Sequence, residues 1–389
     1  MSFKITIGSI LHLFKESVEF NIHQILSSFK LPLVTGAAFS KARYKIKSDL
    51  FKDISQLVVN YSETNCEQKL WKGYRLLAGD GSTLSLPASK QIVKYFGMHN
   101  GTKSCLAQVF MLYDVLSDII IDTKLSTEKI SEKTQFLDIL KSLKKQNEII
   151  LLDRGFGYFN ICQLLTQQGR QFCVRMSTSS TASSFARQMM LVDKDDIVVD
   201  WHPSESSRNV CKKQQLSVNP LKIRVTKIRL QSGEVELLVS NLIDQNKITA
   251  SNIKELYNYR WNVEEGFKKL KSKLKIEYFG CKKPEGIYQE FYAHIFFMNL
   301  IAITGQIAQN TIEHKTKKCH LTYKYNWQNA YRCIRKNLLQ FLYLKNIKIL
   351  LDKLLDQISK SISAIRKDRS FERKKRGTKC KPRYSQMYK

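Results

Sequence analysis

Between residues 71 and 178 the chain alternates in a way that few folds can use. "YRLLAGDGSTLSLP" reads as a strand, "CLAQVFMLYDVLSDIIIDTKLS" as a hairpin of two more, and "SEKTQFLDILKSLKKQN" as an amphipathic helix opening on a Ser/Thr-type cap. "EIILLDRGF" follows as a buried strand ending at an aspartate, then a helix, "YFNICQLLTQQG", and a strand, "RQFCVRMST". Three strands, then helix, strand, helix and strand, predict an α/β domain with a mixed sheet flanked by helices.

On either side the pattern changes. Residues 1–70 read as helical, interrupted at "KLPLVTGAAFSKARYKI", where Pro32 and Gly36 separate two periodic segments and basic residues gather on the second. A helical DNA-binding region and a helical cap packed on the main domain both fit this stretch. Residues 186–248 carry three strand-like runs, "DDIVVDWHP", "KIRVTKIRL" and "EVELLVSNL", and read as a β-rich insertion dividing the core into residues 71–185 and 249–310. Helix resumes at "TASNIKELYNYRWNVEEGFKKLKSKL", with Thr249 and Ser251 as candidate caps. Residues 311–389 read as a helical, basic region ending in "RKDRSFERKKRGTKCKPRYSQMYK", which either contacts DNA nonspecifically or is a disordered solubilising tail.

Lysine and arginine total 64 against 34 aspartates and glutamates, a formal charge of +30, and this excess favours a polyanionic partner, nucleic acid first. A basic ribosome-associated or membrane-surface protein shares the same balance. The nine cysteines fall singly with no C-x-x-C, which argues against a zinc ribbon or disulfide framework and fits a reducing, cytoplasmic compartment. His314, Cys319 and His320 lie close together but lack a second ligand pair at finger spacing. The first residues show no signal-peptide cleavage pattern, and "FYAHIFFMNLIAITGQIA" is interrupted by His294 and Asn299, so it reads as a buried helix rather than a membrane span.

On a helical wheel at about 100° per residue from Tyr257, Arg260 falls near ~300°, Glu264 near ~340° and Lys271 near ~320°, forming one polar stripe. Leu256, Val263, Phe267, Leu270 and Leu274 occupy the neighbouring arc, so the stripe borders the buried face; Lys268 falls close to it and Glu265 well away. A solvated helix with a Glu264–Lys268 ion pair accounts for the same spacing. Two aspartates add weight to the other reading. Asp80 sits in "AGDGSTLSLP" at a strand-to-turn position between Gly79 and Gly81, where a ligand can approach the backbone. Asp153 ends "IILL" and precedes Arg154 and Gly155, at the C-terminal edge of a buried strand, where open α/β sheets place their ligands. Singly each is an ordinary turn or cap residue; together with Glu264 they are candidates for one site at one sheet edge.

These motifs resemble those of the DDE transposases of bacterial insertion sequences, of the insertion-sequence-4 type. "GDGSTLSLP" is similar to the first-Asp motif, "LLDRGF" to the second, and Tyr257, Arg260, Glu264 and Lys271 match the Y-x2-R-x3-E-x6-K signature without a gap. The resemblance spans residues 36–310 and implies a ribonuclease H-like core in which the catalytic Asp80, Asp153 and Glu264 bind two Mg²⁺ (or Mn²⁺) ions. Hard oxygen ligands suit Mg²⁺ and leave positions for water and phosphate, so one ion would activate the attacking oxygen and the other stabilise the leaving one. It further implies that Tyr257, Arg260 and Lys271, joined by Lys268 and Arg154, hold the DNA backbone. Transposon ends and target, both double-stranded DNA, would be cleaved and joined by a homodimer that brings two ends together at the nucleoid. Some members form a hairpin at the transposon end, using an aromatic residue of the insertion to stack a flipped base. The matching strand here, "GEVELLVSN", has no aromatic, and Trp201, the only tryptophan of the insertion, reads as a packing residue. A resolvase-type nuclease would share the acidic triad without the Y-R-E-K spacing, and a silent DNA-binding descendant would keep the fold without the activity.

Overall fold

The computed structural model describes residues 1–12, 17–99, 104–144, 147–230, 232–343 and 346–366, so the basic end beyond Arg366 lies outside the described residues. Four helices come first, α1 (Phe3–Leu11), α2 (Val18–Ser28), α3 (Gly36–Arg43) and α4 (Asp49–Asn65). They precede β1 (Arg75–Leu86), α5 (Lys90–Phe96), β2 (Cys105–Asp114), β3 (Ile119–Thr127), α6 (Glu132–Ser142), β4 (Glu148–Leu152), α7 (Phe159–Gln167) and β5 (Gln171–Met176). The insertion contains α8 (Ser184–Leu191), β6 (Asp196–Trp201), α9 (Glu205–Lys213), β7 (Leu221–Arg229) and β8 (Val235–Ser240). After it come α10 (Ala250–Asn258), α11 (Trp261–Lys268), α12 (Pro284–Thr316), β9 (Tyr323–Tyr325), α13 (Trp327–Tyr343), α14 (Ile347–Lys360) and β10 (Ile362–Ala364). The chain divides into two compact units, one of Glu67–Thr83 and Gln108–Lys268, the other of the described residues in Met1–Cys66, Leu84–Ala107 and Lys269–Lys389.

Eight strands form one sheet in the order β3-β2-β1-β4-β5-β8-β7-β6. β1, β4 and β5 run parallel, and the three strands of the insertion continue antiparallel beyond β5. The 3-2-1-4-5 order with a parallel centre is the ribonuclease H-like arrangement, and the insertion covers the edge that β5 would otherwise leave unpaired. Every residue of β4 is buried, as a central strand with covered faces requires. Ser131 caps α6 by accepting from the Thr134 amide, and Thr249 caps α10 in a capping box with Asn252. Ser251 lies inside the first turn of α10 instead of capping it.

Buried ion pairs hold the start of the sheet. Arg75, which opens β1, donates to Asp114 at 2.8 Å, and Asp114 also accepts from the amides of Leu116 and Ser117. Arg170 donates to Glu148 at the start of β4. Buried charges persist where their lone pairs are met in this way. In the insertion, Trp201 is 4% exposed and packs on Phe159 and Phe185 at ring separations of 5.3 and 4.6 Å, which makes it a core residue.

The helical unit is organised around α12, 33 residues that pack against α1, α4, α13, α14 and β9. By length and composition α12 could cross a membrane, yet 83% of its apolar window is buried inside the protein. The apolar run visible in the sequence is only part of it. Arg43 donates its buried guanidinium to Gln289 and Glu290, and Gln289 returns a hydrogen bond to the Arg43 carbonyl, so the polar groups of this core helix are satisfied. β9 and β10 form a short antiparallel pair that no sequence pattern announced.

One core contact bears directly on the site. A Cβ built on Gly79 would lie 2.7 Å from Phe110 Cζ and 2.9 Å from Leu152 Cδ2. Both neighbours are fully buried, and Phe110 is locked against Phe136 and Phe156 at 5.6 and 5.7 Å. We expect Gly79→Ala to destabilise the fold by about 1–3 kcal/mol through overpacking, read as a lower denaturant midpoint at unchanged slope.

Candidate active site

Strand register alone brings the two aspartates together. β1 and β4 pair in parallel from Arg75 opposite Glu148 to Gly79 opposite Leu152, and Asp80 and Asp153 are the next residue on each strand. Equal steps along neighbouring parallel strands place both side chains level and on one face of the sheet. Asp80 does not stand at a strand-to-turn junction as its flanking glycines suggested: β1 continues to Leu86. It is β4 that ends, at Leu152, leaving the second half of β1 without that partner and the Asp80 side chain, 19% exposed, beside the gap.

Glu264 arrives on α11. The stretch read as one helix is in fact interrupted at Tyr259 and Arg260, where amides bond three residues back, Arg260 to Tyr257 at 3.0 Å and Val263 to Arg260 at 3.1 Å. It ends in a π-helical segment, Lys269–Lys273. The apolar arc survives these changes, with Leu256, Val263, Phe267, Leu270 and Leu274 all buried. Tyr257 is also buried, and its hydroxyl donates to the Leu152 carbonyl at 3.3 Å, tying the helical segment to the strand end that carries Asp153. Asn262 adds a hydrogen bond to the Val115 carbonyl at 3.3 Å.

Arg260 joins the carboxylates. Its guanidinium, 9% exposed as a residue, donates to Glu264 at 2.7 Å and stands 4.0 Å from Asp80. The adjacent Glu265 is exposed and pairs with Lys268 at 3.1 Å, so the two glutamates of the helix differ in role. Burial pushes the Asp80 carboxyl up to about 6; the charges of Asp153 and Glu264 add to this, while the Gly81 amide and Arg260 oppose it. Among the described residues no three acidic, histidine or cysteine side chains already stand close enough to cage an ion. The donor chemistry nonetheless fits one: hard carboxylate oxygens suit a divalent cation, which would favour the ionised Asp80 that burial opposes.

The remaining residues of the sequence reading fall in different places. Arg154 is exposed in a 3₁₀ turn directly after Asp153, whose Oδ1 accepts from the Gly155 amide at 2.9 Å. Lys268 is exposed at the end of α11. Lys271 belongs to the helical unit, where burial lowers the pKa of its ammonium and Glu277 opposes that. Sequence reasoning missed Glu132 and Gln108. Glu132, the first residue of α6, lies over Gly81 and accepts from Gln108 at 2.7 Å. Burial raises its carboxyl pKa, with the charge of Asp153 adding to the effect. Its neighbour Lys133 stacks on the exposed ring of Tyr158, 3.4 Å from the centroid. The only sequence signal at this position was the Ser131 cap.

A family model described as a transposase DDE domain matches residues 71–300. The chain is 22% identical over 298 residues to the transposase InsG of insertion sequence element IS4 from Escherichia coli (strain K12), covering 72% of this chain and 64% of that protein. It therefore spans somewhat less than two-thirds of that relative's length. The cryo-EM structure of a piggyBac transposase synaptic complex with hairpin DNA aligns with a TM-score of 0.48 at 11% identity, covering 91% of this chain and 75% of that one. With the family match extending over more than half of the chain and enclosing Asp80, Asp153 and Glu264, this protein belongs to the DDE transposase family.

Proposed function

We propose that this protein is a metal-dependent DNA transposase that binds the ends of an insertion sequence, cleaves them and joins them to target DNA. The level placement of Asp80 and Asp153 on paired parallel strands, with Glu264 linked to Asp80 through Arg260, carries the reading. Family membership supports it, as does the net charge of +30 for a polyanionic partner.

Asp80, Asp153 and Glu264 would hold two Mg²⁺ or Mn²⁺ ions. When bound, the ions supply Lewis-acid activation of the attacking hydroxyl and stabilisation of the leaving oxygen. Asp80 contributes only when ionised, so metal would displace a proton from it below about pH 6 and compete with none at higher pH. Arg260 pairs with Glu264 at 2.7 Å and stands 4.0 Å from Asp80, so its guanidinium would be a cation available to a phosphate bound at the carboxylates. Tyr257 acts as a positioning residue through the Leu152 carbonyl. Arg154 and Lys268, both exposed, contact the DNA backbone; Lys271 takes the same role on the strength of the sequence signature. Two transposon ends call for two copies of the chain.

With DNA carrying the element's terminal inverted repeats and Mg²⁺, the wild-type protein should both cut the ends and join them to a target plasmid. Glu264→Gln should lower cleavage by more than about a hundredfold, equivalent to roughly 2.7 kcal/mol of barrier. Cleavage without joining would identify a nuclease, and binding without cleavage a silent descendant.

A stability experiment tests the acidic cluster without activity. The folded Asp80 pKa of about 6 exceeds the ordinary 3.8, so between those values the folded state keeps a proton that the unfolded state gives up, and stability falls as pH rises through the window. In EDTA, Asp80→Asn should therefore raise the melting temperature at pH 7, by the equivalent of about 1–3 kcal/mol, and the gain should vanish near pH 3.5. An unchanged melting temperature at pH 7 would show that Asp80 carries no such penalty.

A further inference from the structure

The row of residues that begins with Asp80 and Asp153 continues one strand further. β4 and β5 pair in parallel from Ile149 opposite Gln171 to Leu152 opposite Val174, and the next residues are Asp153 and Arg175. Asp153 keeps extended dihedral angles, φ −83° and ψ −179°, so the correspondence holds past the end of β4. Side chains alternate along a strand, so Arg175 shares the face of both aspartates, one strand spacing, roughly 4.8 Å, from Asp153. The turn after Asp153 closes down on it: a Cβ built on Gly157 would stand 3.0 Å from the Arg175 carbonyl oxygen. Tyr257, whose hydroxyl rests on the Leu152 carbonyl, feels the charges of Arg175 and Glu236 as well as that of Arg260. The Arg175 guanidinium is held from the far side, donating through Nη1 to Glu236 Oε1 on β8 at 2.5 Å. Among the described residues its Nε and Nη2 donate to no other group, and its side chain is 28% exposed.

An ion pair that only fastened the insertion to β5 could stand anywhere along the two strands. This one stands at the C-terminal edge of the parallel strands, where open α/β sheets receive ligands. It also leaves Nε and Nη2 unused, the pair of donors with which Arg224 grips both oxygens of Asp196 in the same insertion. We infer that Arg175 binds a DNA backbone phosphate next to the one at the carboxylates, with Glu236 as the positioning residue that holds its guanidinium away from Asp153. The inference rests on the assignment of Asp80, Asp153 and Glu264 to the reacting phosphate and extends it along the sheet edge. Without Glu236 the guanidinium would be drawn to the carboxylate one strand away and would stand where a divalent ion belongs. Tethered, it presents a planar pair of N–H donors that matches two phosphate oxygens.

The test is DNA binding by the full chain in Mg²⁺ over a range of KCl concentrations, read by fluorescence anisotropy on a labelled duplex whose element end is already cut, so that no cleavage intervenes. The double variant Arg175→Gln with Glu236→Gln removes the pair together, leaves the net charge unchanged and strands no carboxylate. It should keep the wild-type melting temperature, bind about tenfold more weakly and lower the slope of log affinity against log salt by about one. Arg175→Lys keeps the charge without the planar fork and should recover the slope with only part of the affinity. Glu236→Gln alone should raise the Mg²⁺ concentration needed for half-maximal end cleavage, because the released guanidinium competes with the ions for Asp153. A double variant that binds as the wild type does at every salt concentration would reveal an ordinary cross-strand pair and overturn the inference, with the metal centre untouched. If the double variant binds weakly with a reduced slope while wild-type protein cuts no intact end, the phosphate contact stands and the transposase reading falls. If wild-type protein binds no duplex, both fall.

Discussion

The site depends on five consecutive parallel pairings between β1 and β4. Because these pairings end at Gly79 and Leu152, the aspartates that follow are brought level without any direct contact between them. A slip of one residue in either strand would turn one carboxylate to the other face of the sheet. Register is secured at the opposite end, where Arg75 and Glu148, themselves a paired position, are each held by a buried partner, Asp114 and Arg170. Charges that cost free energy to bury thus define which residues are next to one another at the edge that carries Asp80 and Asp153.

The same edge gathers negative charge that a fold without a ligand has no reason to collect. Asp80 is pushed up to about 6, mainly by burial, and Arg260 supplies one positive group against Asp80 and Glu264. The pairing of Arg260 with Glu264 at 2.7 Å, against 4.0 Å to Asp80, leaves the aspartate pair largely unneutralised. If the proposed dication binds here, local stability is given up for its affinity, the usual relation between a strained functional centre and the rest of a core. The Phe110, Phe136 and Phe156 cluster lies behind this edge and keeps it from relaxing.

Much of this was legible in the sequence, because hydrophobic patterning and strand order are local signals. "IILLDRGF" gives both a buried strand and the aspartate that ends it, and the third motif gives Glu264 by spacing. The wheel separated Glu264 from Glu265, and the structure gives them different partners, Arg260 and Lys268. It did not show the tightened turn at Tyr259 and Arg260 or the π-helical end, since both depend on what the helix docks against. Tyr257, taken from the signature as a phosphate contact, is buried with its hydroxyl on the Leu152 carbonyl, a pairing across 105 residues that no local pattern can encode. Glu132 was invisible for the same reason: helix capping explains an acid in a first turn, and only the fold places it over Gly81.

Net charge and site charge have opposite signs, and the difference has a physical consequence. An excess of +30 attracts DNA at long range and is weakened by salt. The acidic edge repels the same phosphates at short range until cations occupy it. On the proposed function, encounter with DNA and chemistry on it would be governed by different ions: monovalent salt would set how often DNA arrives, and divalent metal whether a phosphate can settle against Asp80 and Asp153. DNA bound without metal would be held away from the carboxylates by their own charge, so under the proposed function such a chain would bind nucleic acid widely and still restrict cutting to complexes in which the metal centre is filled.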